Sequence, residues 1–130
     1  MNTKKFLVSG VVGGIVNFLL GWLLYGIIFA NQFPVTGEMN MMMIALGSLV
    51  RGLFVAYIFI KWAHITTFKT GFQAGAVIGL FLALYYDFFY NAMKATDAID
   101  WPTVGLDIMI TALITALTGA TIAVTIDKLK

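Results

Sequence analysis

Arg51, Asp87 and Asp107 are ionisable residues set inside long apolar runs, and Asn17 is an amide set inside another. A strongly polar side chain therefore interrupts each of four hydrophobic segments well inside its ends. A charge at bilayer depth costs roughly 2.5–3.5 kcal/mol on insertion scales, so such residues need a partner or a task. Two carboxylates against one guanidinium leave a formal negative charge that a proton or cation could neutralise, which is the chemistry of an ion or proton site. The alternative is adhesive. Arg51 pairs with one aspartate, Asn17 bonds across helices, and the second aspartate is protonated or reaches the outer interface. Interhelical hydrogen bonds of this kind contribute about 0.6–2 kcal/mol each. A lipid-headgroup, pigment or other ligand site is the third reading.

The solvent around these residues follows from composition. The chain has 130 residues, of which 61% are apolar and 11% charged, and its mean hydropathy is +0.95. A soluble domain of this size cannot hide so much apolar surface, so the surroundings are lipid. The net charge is only +2 and the basic residues sit at segment ends, which argues against nucleic acid as a partner. Cysteine is absent, which removes disulfides, thiol catalysis and thiolate metal sites.

Four apolar runs, at about 6–29, 39–60, 71–93 and 102–126, each have the length of a spanning helix. Backbone groups in lipid must bond within their own segment, and the alternating ten-residue runs of a barrel are missing, so helices are expected. The expected architecture is all-α: one domain over residues 1–130, an integral membrane four-helix bundle. The first run follows Lys4 and Lys5, exceeds the apolar core of a signal peptide and has no evident cleavage site, so it reads as a retained span. Pro34 and Gly37 break the first connector, and Thr36 with Glu38 suits the start of the second helix. Thr70 with Gln73 resembles a capping box opening the third, and Asp100-Trp101-Pro102 a cap and first-turn proline opening the fourth. Lys4, Lys5, Lys61, Lys69, Lys128 and Lys130 fall on one side, and Lys94 on the other with Glu38, Asp97 and Asp100. The bias predicts that both termini are cytoplasmic and argues against dual topology. Trp62 on one side and Tyr85, Tyr86, Tyr90 and Trp101 on the other suit aromatic belts.

Depth and helix faces suggest how the polar residues meet. At about 1.5 Å per residue, Asn17 and Arg51 lie near mid-helix, while Asp87 and Asp107 lie roughly six residues from the outer ends. Side chains lean toward the N-terminus of their helix, so Arg51 leans outward and Asp87 inward, and an Arg51–Asp87 pair is expected. Gly71, Gly75, Gly79, Ala83, Asp87 and Asn91 form a small-residue ladder on the third helix, where another helix can approach closely. Gly10, Gly14, Asn17 and Gly21 share a face on the first helix, Gly47 and Ser48 precede Arg51 by a turn, and Asp107, Thr111, Thr115 and Thr118 make a polar stripe on the fourth. Gly10, Gly14 and Tyr25 also align with Gly71, Gly75 and Tyr86 at a constant offset, a faint parallel repeat of two hairpins.

Enzyme chemistry finds no footing. There is no nucleophile elbow, paired-histidine helix or phosphate-binding loop, and no catalytic residue, metal or cofactor is expected. His64, the single histidine, reads as a solvated interfacial residue. The four methionines between positions 39 and 43 do not converge on a helix, so they suit an adaptable lipid or partner surface better than a soft-metal site.

The element Leu20-Gly21-Trp22-Leu23-Leu24-Tyr25-Gly26-Ile27-Ile28-Phe29, with Ala56-Tyr57 and the glycines spaced by four that open the third helix, resembles a family of uncharacterised bacterial membrane proteins. This is the four-span family known as domain of unknown function seventeen sixty-one. The resemblance runs over nearly the whole chain and implies a bacterial inner-membrane protein; it implies no activity. Thr66-Thr67-Phe68 is similar to a fluoride-channel motif, but it falls in a connector on the basic side and the charge bias opposes dual topology. The expectation is a non-enzymatic membrane component that self-associates or serves as accessory subunit of a larger complex. The runner-up is an oligomeric channel or transporter coupled to protons or cations through Asp87 and Asp107, gated or balanced by Arg51.

Overall fold

The computed structural model describes residues 2–33 and 40–129. Pro34, Thr36, Gly37, Glu38, Met39 and Lys130 lie outside the described residues. Among the described residues there are four helices long and apolar enough to cross a membrane, and no strand. Helix α1 (Thr3–Leu23) continues as a π-helical turn over Leu24–Ile28, and α2 (Met41–Tyr57) as another over Ile58–Ala63. Helices α3 (Phe68–Asn91) and α4 (Trp101–Lys128) follow, with a short 3₁₀ turn at Thr96–Ala98 between them.

Side-chain oxygens close the exposed N–H groups at each helix start. Asn2 accepts from Lys5 N–H, Asn40 from Met43 N–H and Asp100 from Thr103 N–H. Pro102 stands in the first turn of α4, where its missing donor costs nothing. At α3 the cap is Thr67, which accepts from Thr70 N–H, so the helix opens three residues before the expected Thr70 capping box. The turn from α2 into α3 is closed by His64 at φ 51°, in the left-handed region. There Phe59 O receives the N–H of both His64 and Ile65.

The glycines set the register. A Cβ on Gly10 would strike Leu53, one on Gly14 would lie 2.9 Å from Leu49 Cα, and one on Gly52 would meet the backbone of Gly10 and Gly14. These pairs run in opposite senses, so α1 and α2 are antiparallel with backbones in near contact. On α3, a Cβ at Gly71 would lie 2.6 Å from Ala123 Cβ, one at Gly75 would strike the Thr115 carbonyl, and one at Gly79 would lie 2.7 Å from Thr115 Cβ. Gly119 of α4 answers them, facing Gly71 and Gly75. Helix α1 also meets α4, through Gly13 against Ile122 and Thr118. Gly21 has no atom within 4 Å of an added Cβ, so the close approach along α1 ends before it.

Helix α4 is the centre of the arrangement. Its most apolar stretch is 56% buried, against 22%, 28% and 22% in α1, α2 and α3. Helix α1 packs on α2 and α4, α3 packs on α4, and α2 touches α4 more lightly. Toward the Lys-rich end, Val55, Ala56, Phe59, Ile122, Ala123 and Ile126 form a closed apolar core.

Candidate functional site

The polar residues lie on the other side of that core. Tyr25 is carried by the π-helical turn that ends the first span, and Phe29 N–H bonds Leu24 O at 2.8 Å across that turn. A π turn admits one residue more than α-helical spacing and is frequent at functional sites. The Tyr25 hydroxyl donates to Asp107 Oδ1 at 2.5 Å and lies 3.0 Å from Thr111 Oγ1, both on α4. The Tyr25 ring stands edge-on to Phe33 at 4.8 Å between centroids, which fixes its direction. Thr115 on the same stripe donates to its own helix, at Thr111 O, 2.8 Å away.

Arg51 lines a cavity of about 550 Å³ with Tyr25, Gly47, Phe54, Asp107 and Thr111, bordered on α3 by Leu82, Ala83, Tyr85 and Tyr86. Its electrostatic neighbours are Tyr25 and Asp107. The expected Arg51–Asp87 pair does not form. The reason is the ladder that carries Asp87: Gly71, Gly75 and Gly79 pack on α4, so Asp87, on the same face, is directed at α4 instead of α2. Its electrostatic neighbour is Asp107.

Asp87 is 5% exposed, and its Oδ2 is buried without a hydrogen-bond partner. Asn91, one turn on, spends its amide N–H on the Asp87 backbone carbonyl at 2.8 Å. Both line a second cavity of about 480 Å³ that extends past Tyr90 to Lys94, Asp100 and Thr103 at the end of the bundle. Asp107 and Tyr86 line both cavities. The two cavities therefore adjoin at Asp107 and Tyr86 and together form a cleft from the Lys94–Asp100 end to Arg51, and no buried residue of the apolar core around Phe59 and Ile122 lines either of them.

Asn17 stands apart. It is buried, lines neither cavity, and lies one turn beyond Gly13 at the contact with α4, with Oδ1 unpartnered. Thr118 Oγ1 on the facing helix is also buried and unpartnered. The structure therefore gathers Arg51, Asp107 and Asp87 along one cleft, with Asp107 in the middle, and leaves Asn17 outside it. Tyr25 was not expected in this cluster. Its signal is the helix face: counting by four from Asn17 through Gly21 reaches Tyr25.

No metal-binding group of three or more His, Cys, Asp or Glu side chains occurs among the described residues. Comparison with protein-family models, curated proteins and solved structures finds no match.

Proposed function

We propose that this chain is a small non-enzymatic membrane component that works by association, with itself or as accessory subunit of a larger membrane complex, and that its polar cluster is chiefly adhesive. The observation that carries the adhesive part of this reading is the Tyr25 hydroxyl on Asp107 and Thr111, a half-buried polar tie between the end of the first span and α4. Such a tie satisfies groups that lipid cannot. The apolar core around Val55, Phe59 and Ile122 supports the same reading, because none of these residues lines either cavity. The placement of Lys4, Lys5, Lys61, Lys69 and Lys128 against Lys94 supports cytoplasmic termini. Extraction from the native membrane in mild detergent, followed by mass spectrometry of what co-migrates, tests it. A stoichiometric partner or a homo-oligomer is expected; a lone monomer at native concentration refutes association.

One observation favours a second reading, proton or cation transfer. Asp87 keeps a buried, unpartnered carboxylate oxygen beside Asp107 in a cleft open to one end. In that case Asp87→Asn and Asp107→Asn abolish ion-dependent flux in proteoliposomes with the fold intact, and flux surviving both ends the idea.

A further inference from the structure

Arg51 has five N–H donors and, among the described residues, none of them makes a hydrogen bond and no carboxylate lies within 4.0 Å. Asp107 does not neutralise it at contact distance; its Oδ1 accepts from the Tyr25 hydroxyl. A guanidinium left so at bilayer depth is costly, and the 550 Å³ space in front of it is where an acceptor would sit.

The walls of that space say what kind of acceptor. Arg51, Asp107, Tyr25 and Thr111 form a polar floor, while Val50, Phe54, Leu82 and Tyr85 form apolar walls between α2 and α3. These two helices make no extended contact, so the space lies between the walls of a cleft at the periphery of the bundle. An apolar transmembrane helix would cover the walls and leave the guanidinium without an acceptor. A free anion would leave the apolar walls unused.

We infer that the α2–α3 cleft binds an amphiphile with an anionic headgroup, a phospholipid whose phosphate sinks below headgroup level to reach the Arg51 guanidinium and whose chains leave between the two helices. Guanidinium and phosphate match as a bidentate, charge-assisted pair. The inference is independent of the association proposed above, since it concerns one chain and one lipid.

Gly47 supplies the decisive variant. It lines the cavity and an added Cβ there has no atom within 4 Å, so Gly47→Phe fills the cleft while leaving the helix contacts alone. Gly105, also open and lining neither of the two cavities of the polar cleft, gives the control Gly105→Phe. Delipidated protein in mild detergent is titrated with short-chain phosphatidylglycerol, phosphatidylcholine and inorganic phosphate, reading retained lipid by native mass spectrometry and the melting temperature. Phosphatidylglycerol is expected to saturate at one molecule per chain and to raise the melting temperature, with at least tenfold weaker binding of phosphatidylcholine. Gly47→Phe and Arg51→Gln each lose at least tenfold in affinity, and Gly105→Phe retains it. Equal binding of the two lipids, inorganic phosphate binding as tightly as phosphatidylglycerol, or unchanged binding to Gly47→Phe each overturns the inference. Gly47→Phe decides the matter alone if Arg51→Gln does not fold.

Discussion

Tyr25 and Asp107 are joined by a 2.5 Å hydrogen bond between residues 82 positions apart in sequence, and this bond ties the π-helical end of the first span to the central helix. Tyr25→Phe removes the donor and strands Thr111 Oγ1 as well. The expected loss is about 1 kcal/mol, with 2 as the upper range for membrane hydrogen bonds. Asp107→Asn keeps an acceptor oxygen for Tyr25 and is expected to cost less than Asp107→Leu. Equilibrium unfolding in mixed micelles gives both comparisons; equal losses for Asn and Leu would show that the bond contributes little.

The pairing of Arg51 is open to a double-mutant cycle. Arg51 has Asp107 and not Asp87 as its acidic electrostatic neighbour. Coupling between Arg51→Leu and Asp107→Leu is expected to exceed 0.5 kcal/mol, and coupling between Arg51→Leu and Asp87→Leu to stay within about 0.3–0.5 kcal/mol, the range for sites with no shared partner. Rescue of Arg51→Leu by Asp87→Leu would contradict the structure.

Glycine substitutions separate contact from propensity. Gly52→Ala and Gly75→Ala push a methyl into backbone of the facing helix, and overpacking of that sort costs about 1–3 kcal/mol. Gly21→Ala and Gly105→Ala enter open space and should be neutral or gain up to about 1 kcal/mol from helix propensity. Thermal unfolding of the four variants is expected to split them two and two.

His64 occupies a left-handed backbone position at φ 51°. His64→Gly should be neutral or slightly stabilising, while His64→Val should lose about 1–2 kcal/mol, the cost of that region for a residue with a branched Cβ. If valine is tolerated as well as glycine, the turn does not adopt this conformation.

Much of the fold was legible because each signal is local. Twenty-odd apolar residues make a span wherever they occur, and Asp100-Trp101-Pro102 starts a helix through contacts three residues away. The helix neighbours were not legible. Side-chain lean gives the direction of Arg51 and Asp87 along their axes but not which helix each faces around them. That angle is fixed by where backbones can touch, and Gly119 on α4 is what lets α3 dock there with Asp87 turned away from α2. Thr67 displaced Thr70 as the cap of α3 for a similar reason, since two threonines three apart offer the same chemistry and the turn at His64 selects one. Tyr25 went unseen because an isolated tyrosine in an apolar run looks like an interfacial anchor until Asp107 is placed opposite it.

The central position of α4 also bears on the order of assembly during synthesis. Helices α1 and α2 can pair before the rest of the chain is made, because Gly10, Gly14 and Gly52 supply both sides of that contact. The glycine ladder of α3 finds its facing surface only on α4, which follows it in the chain. Nascent chains halted between α3 and α4 would therefore hold a settled hairpin beside an orphaned helix, and it is this intermediate that a membrane-integral chaperone or a quality-control protease would meet.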